Sequence, residues 1–180
     1  MKSLTVVFNE LLTATDHYGE DANKALVDAI QWFKTIYVYG AGRSGLALQM
    51  FAMRLAQMGK PVFVVGQVTA PPIKKDDLLI VASGSGETAQ SVQFAQKALD
   101  AGAGVLLIST SDDNTIAKLA SQTVVIGGKA KYATDAVSQQ PLGALFEQLL
   151  FLFLEATVMD LMAAWHLSEE QLASGHANLE

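Results

Sequence analysis

Residues 78–88 read Leu78-Leu79-Ile80-Val81-Ala82-Ser83-Gly84-Ser85-Gly86-Glu87-Thr88. Five consecutive apolar residues are too few for a helix and do not alternate with polar ones, which predicts a strand buried on both faces of a sheet. Glycines and hydroxyl residues follow at once, and helical composition begins at Glu87. The segment therefore predicts a strand, a tight loop and the start of a helix, the unit from which parallel sheets are built.

The same alternation continues on both sides of this segment. Further apolar runs of strand length, each bounded by turn residues, occupy 35–39, 61–65, 104–109 and 123–126. Segments of helical composition occupy 44–58, 87–101 and 114–120, whereas 66–77 has no helical period and is predicted to be a loop. We therefore expect a three-layer α/β/α sandwich around a five-stranded, parallel, doubly wound sheet.

Helices are predicted at both ends of the chain. Apolar residues recur at three- and four-residue steps across 4–33, which predicts two helices, or one helix broken near Gly19. A long helix is expected to run from Pro141, a residue favoured at the first helical position, to about Trp165. A short helix should follow from Ser168.

The length of 180 residues suits one domain with a single core. We expect that domain to span 1–180, with N-terminal helices in 1–34, the parallel core in 35–127 and C-terminal helices in 139–180. Hydrophobic residues make up 51% of the chain and charged residues 17%, which leaves too little polar surface to cover a monomer. The composition therefore predicts association between subunits.

Several classes of function are disfavoured by composition. A net charge of −6 argues against a protein that binds nucleic acid by neutralising phosphates. There is no cysteine, and His17, His166 and His176 are widely spaced, so neither a disulfide nor a bound metal is predicted. No uncharged span reaches about 20 residues and no signal peptide is evident, so we expect a cytoplasmic protein without membrane contact.

The first glycine-rich loop reads Gly40-Ala41-Gly42-Arg43-Ser44-Gly45 and follows the strand at 35–39. Its GxGxxG pattern also occurs in dinucleotide-binding proteins, where the glycines allow the backbone to approach a pyrophosphate. Those proteins carry an acidic residue at the end of the second strand, whereas 62–67 contains no carboxylate. A dinucleotide cofactor is therefore not expected.

The second loop carries three hydroxyl groups, on Ser83, Ser85 and Thr88, within six residues. Hydroxyls, backbone N–H groups and a helix N-terminus together bind a phosphate. No GxxxxGK[ST] motif is present, so nucleotide hydrolysis is not predicted. The alternative is that these residues are only turn and N-cap residues.

The presence of two such loops favours phosphate binding over the alternative, because ligands of open α/β sheets lie where the loops of neighbouring strands meet. The residues expected to bind substrate are Gly42, Arg43, Ser44, Ser83, Gly84, Ser85 and Thr88. Thr69 is also predicted to bind substrate, only because it lies in the loop at 66–77. Arg43 is a candidate either to pair with the phosphate or to donate hydrogen bonds to an enediolate.

Four motifs together resemble the 6-phospho-3-hexuloisomerases, a family of sugar isomerase (SIS) proteins. Besides the two loops, these are Gln140-Pro141-Leu142-Gly143 with Phe146-Glu147-Gln148, and the terminal His176-Ala177-Asn178-Leu179-Glu180. The resemblance implies a flavodoxin-like SIS fold, a homotetramer, no cofactor and Gln140 as a further substrate-binding residue.

The resemblance also implies a reaction. That family interconverts D-arabino-3-hexulose 6-phosphate and fructose 6-phosphate in the ribulose monophosphate pathway, which fixes formaldehyde. Its functional partner is 3-hexulose-6-phosphate synthase. Two alternatives stay open: an SIS isomerase of another sugar phosphate, such as a heptose or arabinose phosphate, and a non-catalytic phosphosugar-binding module like those of transcription regulators.

Moving a carbonyl between adjacent carbons through an enediol requires one well-placed base and no cofactor. Glu147 is the candidate, since Leu145, Phe146, Leu149 and Leu150 surround it in the sequence, although a carboxylate on a solvated helix face is the alternative. His176 on its own reads as a surface residue near a chain end. The resemblance instead implies that it is catalytic, supplied in related isomerases by a neighbouring subunit.

Overall fold

A computed structural model of the chain describes residues 2–15, 20–130 and 138–179, so His17 and Lys131 lie outside the described residues. The strands are β1 (Thr35–Gly40), β2 (Val62–Val64), β3 (Asp77–Ala82), β4 (Gly104–Ser109) and β5 (Gln122–Val125). The helices are α1 (Lys2–Thr15), α2 (Glu20–Trp32), α3 (Arg43–Gln57), α4 (Ala89–Asp100), α5 (Thr115–Leu119), α6 (Ala144–Ala164) and α7 (Glu169–Ser174).

The five strands form one parallel sheet in the order β2-β1-β3-β4-β5. This is the flavodoxin-like order, and the chain reverses its direction of travel across the sheet between β1 and β3. In that pair Gly40 lies beside Ala82, so both strands end at the same level of the sheet. The loops that follow β1 and β3 therefore leave the sheet side by side, as predicted.

Helices cover both faces of the sheet. α2, α3 and α6 pack on one face, where their apolar side chains meet those of alternate strand residues such as Ile36 and Ile80. α4 and α5 pack on the other, against residues such as Leu79 and Val105. Every residue of β3 is buried, which is why its sequence is apolar from Leu78 to Ala82. The predicted three-layer α/β/α sandwich is confirmed.

The start of the long helix differs from the prediction, because α6 begins at Ala144 and not at Pro141. Pro141 lies in a turn that is closed by a 3.1 Å hydrogen bond from the Ala144 N–H to the Pro141 carbonyl. Leu142 has a φ of 55°, in the left-handed region that a helix does not use. A start at Pro141 would have put Glu147 about two turns into the helix, whereas it lies in the first turn of α6.

The short C-terminal helix begins where the sequence predicts it. The hydroxyl of Ser168 accepts a hydrogen bond from the Gln171 N–H, and the Gln171 side chain accepts one from the Ser168 N–H. This reciprocal capping box satisfies N–H groups that the first turn of a helix leaves unpaired. Across 2–15, 20–130 and 138–179, no helix combines the length and the apolar character needed to cross a membrane.

Candidate functional site

The loop after β1 is shaped by a close approach between two glycines. A Cβ on Gly45 would lie 2.2 Å from the Gly40 carbonyl oxygen, so a side chain there would displace the backbone. Gly42 precedes α3 and has a φ of 58°, which favours glycine. The GxGxxG pattern therefore lets α3 start directly at the end of β1, with Arg43 as its first residue and Ser44 next to it.

The loop after β3 is held by the end of β4. The Gly84 carbonyl accepts hydrogen bonds from the Thr110 hydroxyl at 2.7 Å and the Ser109 hydroxyl at 3.3 Å. Because C=O and N–H of a trans peptide point in opposite directions, the Ser85 N–H is directed away from Thr110. The end of β4 therefore fixes the orientation of the peptide between Gly84 and Ser85.

A second tether joins the same loop to α5. The Glu87 carboxylate accepts hydrogen bonds from the hydroxyl and the backbone N–H of Thr115, each at 2.7 Å. These bonds, the hydroxyl bond first, lower the pKa of Glu87 from its ordinary value. Gly86, with a φ of 63°, lies so close to Asn114 that a Cβ would overlap that side chain. The loop is therefore fixed by its contacts with Thr115 and Asn114.

The hydroxyl groups of this loop have only part of their hydrogen-bonding capacity in use. Ser83 Oγ accepts from the Gly86 N–H, and Ser85 Oγ accepts from the Glu87 N–H, both at 3.2 Å. Thr88 is the N-cap residue of α4, but its side chain makes no capping hydrogen bond. Its hydroxyl lies 3.4 Å from that of Ser83, so one of these two hydroxyls donates to the other in the absence of a ligand. Two serines thus do serve as turn residues, yet a hydroxyl that accepts still has its own proton to donate.

A cleft of about 750 Å³ opens above the two loops, within the range of roughly 300–1,000 Å³ for small-molecule sites. It brings together nine of the eleven predicted site residues: Gly42, Arg43, Ser44, Ser83, Gly84, Ser85, Thr88, Gln140 and Glu147. The N-terminus of α6 forms the opposite wall. Gly84 packs so tightly on the Phe146 ring that a Cβ would lie 3.2 Å from it, which sets this wall directly against the hydroxyl loop.

Glu147 forms an ion pair with Arg43 across the cleft. The Glu147 side chain is 21% exposed and that of Arg43 is 67% exposed, so the carboxylate is the more enclosed partner. Arg43 reaches it from the first turn of α3, and Glu147 projects from the first turn of α6. The cleft therefore combines one carboxylate, one guanidinium and a set of neutral donors, an arrangement suited to proton transfer on an anionic ligand.

Two predicted residues lie outside this cleft. Thr69 is exposed in the segment after β2 and does not line it. His176 follows α7, where Gly175 packs on Gln57 at the C-terminal end of α3. Arg43 begins that same helix, and 15 residues of α-helix span roughly 20 Å. Within one chain, His176 is therefore at the opposite end of α3 from the cleft.

Lys129, Phe146 and Gln148 are among the lining residues that were not predicted as site residues. Phe146 and Gln148 flank Glu147 in a motif that the resemblance already singled out. Lys129 lies in a polar, glycine-containing segment after β5, and its sequence offers no signal beyond its charge. Among the described residues, no cluster of three or more histidine and carboxylate side chains is placed to hold a metal ion.

Comparison with known protein families identifies the class to which this fold and cleft belong. Residues 30–151 match the family model described as SIS domain, which covers both loops and the first turn of α6. The fold and the cleft are thus those of an SIS-domain protein.

Relatives narrow this class. A 3-hexulose-6-phosphate isomerase of Bacillus subtilis is 36% identical over 176 residues, or 97% of this chain and 95% of the relative. One of Mycobacterium gastri is 44% identical over 146 residues, or 81% of this chain and 73% of the relative. A Methanococcus jannaschii protein, for which a crystal structure led to the inferred function of 3-hexulose-6-phosphate isomerase, is 30% identical to this chain. The two structures superpose with a TM-score of 0.87, and all of both chains is covered. The chain belongs to this family of sugar-phosphate isomerases.

Proposed function

We propose that the protein interconverts D-arabino-3-hexulose 6-phosphate and fructose 6-phosphate, as a step of the ribulose monophosphate pathway. 3-Hexulose-6-phosphate isomerase is another name for the 6-phospho-3-hexuloisomerases that the sequence motifs resemble. The three relatives described above carry this name, which supports the assignment. The observation that carries the proposal is the cleft itself, in which a hydroxyl-lined loop faces Glu147 on the opposing helix. One wall is suited to a phosphate and the other to proton transfer.

The phosphate is assigned to the loop after β3. Ser83, Ser85 and Thr88 donate from their hydroxyls, and the Ser85 N–H and the N-terminus of α4 add backbone donors. The loop brings no cationic side chain, so the phosphate is held without a fixed ion pair and can leave with the product. Gly42, Ser44 and Gln140 are assigned to the rest of the sugar phosphate, and Lys129 provides a cation at the rim.

Glu147 is assigned as the base. From the 3-ketose it removes the proton on C2, and the electron pair forms the C2–C3 double bond of a cis-enediolate as the C3 carbonyl becomes an oxyanion. A proton moves from the C2 hydroxyl to the C3 oxygen, and Glu147 returns its proton to C3 as the C2 carbonyl forms. Arg43, already beside Glu147, stabilises the enediolate charge. No electrons are gained or lost overall, so no cofactor is required.

The histidine is assigned to a neighbouring subunit. His176 of the same chain lies at the far end of α3, so a role in the cleft requires a second chain that places its C-terminus there. Once there, the imidazole would open the sugar ring or move protons between hydroxyl oxygens. Thr69 is assigned no contact with the substrate in the cleft of its own chain.

Self-association, as the predicted homotetramer, is supported by an apolar surface that borders the cleft. Phe8 and Leu12 lie four residues apart on one face of α1 and are 56% and 66% exposed. A neighbouring apolar cavity of about 420 Å³ between α1, α3 and α6 is lined by Leu46 and Met50, and Arg43 and Glu147 lie at its edge. A subunit that covered this surface would reach the catalytic carboxylate.

We propose further that residues 1–180 act as one domain, because both terminal helical regions pack on the helices that cover the sheet. The substrates are anionic and do not cross membranes unaided, which supports a cytoplasmic location for the reaction. The 3-ketose is the compound that 3-hexulose-6-phosphate synthase forms, so functional coupling to that enzyme is expected.

Ser85→Ala and Thr88→Ala should each raise KM for the sugar phosphate about ten- to a hundredfold while kcat changes little. Each removes one hydrogen bond to a charged group, worth about 1.5–3 kcal/mol, that is made equally in the ground and transition states. Steady-state kinetics check this, with exposed Ser121→Ala near β5 as the control. A fall in kcat with unchanged KM would contradict the phosphate assignment.

The reaction is tested by supplying fructose 6-phosphate together with 3-hexulose-6-phosphate synthase. The 3-ketose formed by the isomerase should be cleaved to ribulose 5-phosphate and formaldehyde, which a chemical assay detects. Formaldehyde that appears only when both proteins are present supports the proposal. Tight binding of fructose 6-phosphate without turnover would identify a phosphosugar-binding module instead.

A further inference from the structure

The carboxylate of Glu10, on α1, binds the segment that carries Gln140 into the cleft. It accepts hydrogen bonds from the Ser138 hydroxyl at 2.6 Å, the Gln139 backbone N–H at 2.7 Å and the Gln140 side-chain amide at 3.0 Å. Partial burial raises the pKa of Glu10, but these three bonds outweigh it and hold the pKa below its ordinary value. One helix residue thus anchors three consecutive residues of the chain at the edge of the site.

The anchor also sets the direction of a hydrogen-bond chain. An ionised carboxylate only accepts, so Gln140 must turn its NH₂ group toward Glu10 and its carbonyl oxygen away. That oxygen accepts a 2.7 Å hydrogen bond from the NH₂ group of Gln148. The N and O atoms of an amide side chain could in principle exchange places by rotation of the group. In Gln140 and Gln148 the hydrogen bonds permit only one of the two orientations.

The chain ends at the catalytic wall of the cleft. Gln148 follows Glu147 on α6, and both Gln140 and Gln148 line the cleft. The Gln148 carbonyl oxygen is buried and has no hydrogen-bond partner among the residues that the structure describes. A buried acceptor without a partner is unfavourable, and a sugar hydroxyl is a donor of the right chemistry for it. If Gln148 were reversed, its NH₂ group would face this position instead.

We propose that Glu10 is a positioning residue of the active site, which acts through Gln140 to hold Gln148 with its carbonyl oxygen toward a hydroxyl of the substrate. Glu10 itself touches no substrate. This inference rests on the proposed function for the identity of the substrate, but not for the existence of the hydrogen-bond chain.

Glu10→Gln tests it. An amide at position 10 has one oxygen for three donors and brings its own NH₂ group to face them, so the orientation of Gln140 is no longer imposed. We expect kcat/KM for fructose 6-phosphate to fall about tenfold, through KM rather than kcat because Glu147 is unchanged. Asn9→Ala, an exposed change on the same helix, should leave both constants at the wild-type value.

A double-variant cycle with Gln140→Ala separates positioning from stability. If Glu10 acts through Gln140, Gln140→Ala alone should be as damaging as the double variant. An unchanged kcat/KM in folded Glu10→Gln, or effects that multiply in the double variant, would overturn the proposal even if urea unfolding shows a loss of stability. Should Glu10→Gln fold poorly, the same comparison is made with Ser138→Ala, which removes one donor from Glu10.

Calorimetric binding of fructose 6-phosphate keeps this test separate from the proposed reaction. If the wild-type protein binds the sugar phosphate but does not turn it over, the proposed function fails while the Kd comparison still applies. A Kd that rises about tenfold in Glu10→Gln supports positioning. A Kd equal to that of the wild-type protein contradicts it.

Discussion

Replacing Glu147 by glutamine should lower kcat about a thousandfold while KM for the sugar phosphate stays within a few-fold of the wild-type value. General base catalysis contributes about 10²–10⁴ in rate, and the amide cannot accept the C2 proton. The phosphate is held on the opposite wall of the cleft, so ground-state binding should survive. Steady-state kinetics with purified variants give both constants.

Two controls distinguish the loss of the base from other effects. Glu155→Gln removes a carboxylate from the same helix, two turns beyond Glu147 and outside the cleft, and should be nearly as active as the wild-type protein. Arg43→Gln breaks the ion pair with Glu147 but keeps the base, so its kcat should fall less than that of Glu147→Gln. Near-normal turnover by Glu147→Gln would remove Glu147 as the base.

Mixing two inactive variants should restore activity if His176 acts in the cleft of a neighbouring subunit. Glu147→Gln and His176→Asn each disable every site when they are alone. In a mixed pair of subunits, one site combines Glu147 of one chain with His176 of the other and is intact. Random assembly makes half of the pairs mixed, so the mixture should recover roughly a quarter of wild-type activity after joint refolding.

The same experiment has a clear opposite outcome. If His176 served the cleft of its own chain, every mixed pair would contain two damaged sites, and the mixture would stay inactive. Deletion of 175–180 should behave like His176→Asn and complement Glu147→Gln equally well. A deletion variant that is fully active on its own would remove His176 from the mechanism altogether.

The strands and the phosphate loop could be predicted from the sequence because their signals are local. β3 is buried on both faces and is therefore apolar from Leu78 to Ala82. The loop after it is recognisable by glycines and hydroxyl residues within six positions. The order of strands then puts this loop beside the one after β1, so two separate motifs predicted one site.

What escaped prediction depends on contacts between distant parts of the chain. Pro141 has the local signature of a helix start, but the left-handed Leu142 delays α6 to Ala144. Glu10 reads as an ordinary helix carboxylate, since its partners lie almost 130 residues further on. The place of His176 follows from the packing of Gly175 at the end of α3, which no motif encodes.

The position at which the enzyme exchanges hydrogen tests the proposed reaction most directly. Fructose 6-phosphate incubated with the protein in D₂O should gain deuterium at C3, because Glu147 removes the C3 proton to form the 2,3-enediol and exchanges it with the solvent before a proton is returned. NMR spectroscopy of the recovered sugar phosphate locates the label, and Glu147→Gln should leave C3 unlabelled over the same time. Deuterium at C1, which indicates a 1,2-enediol and an aldose product, or no incorporation at all would contradict the account.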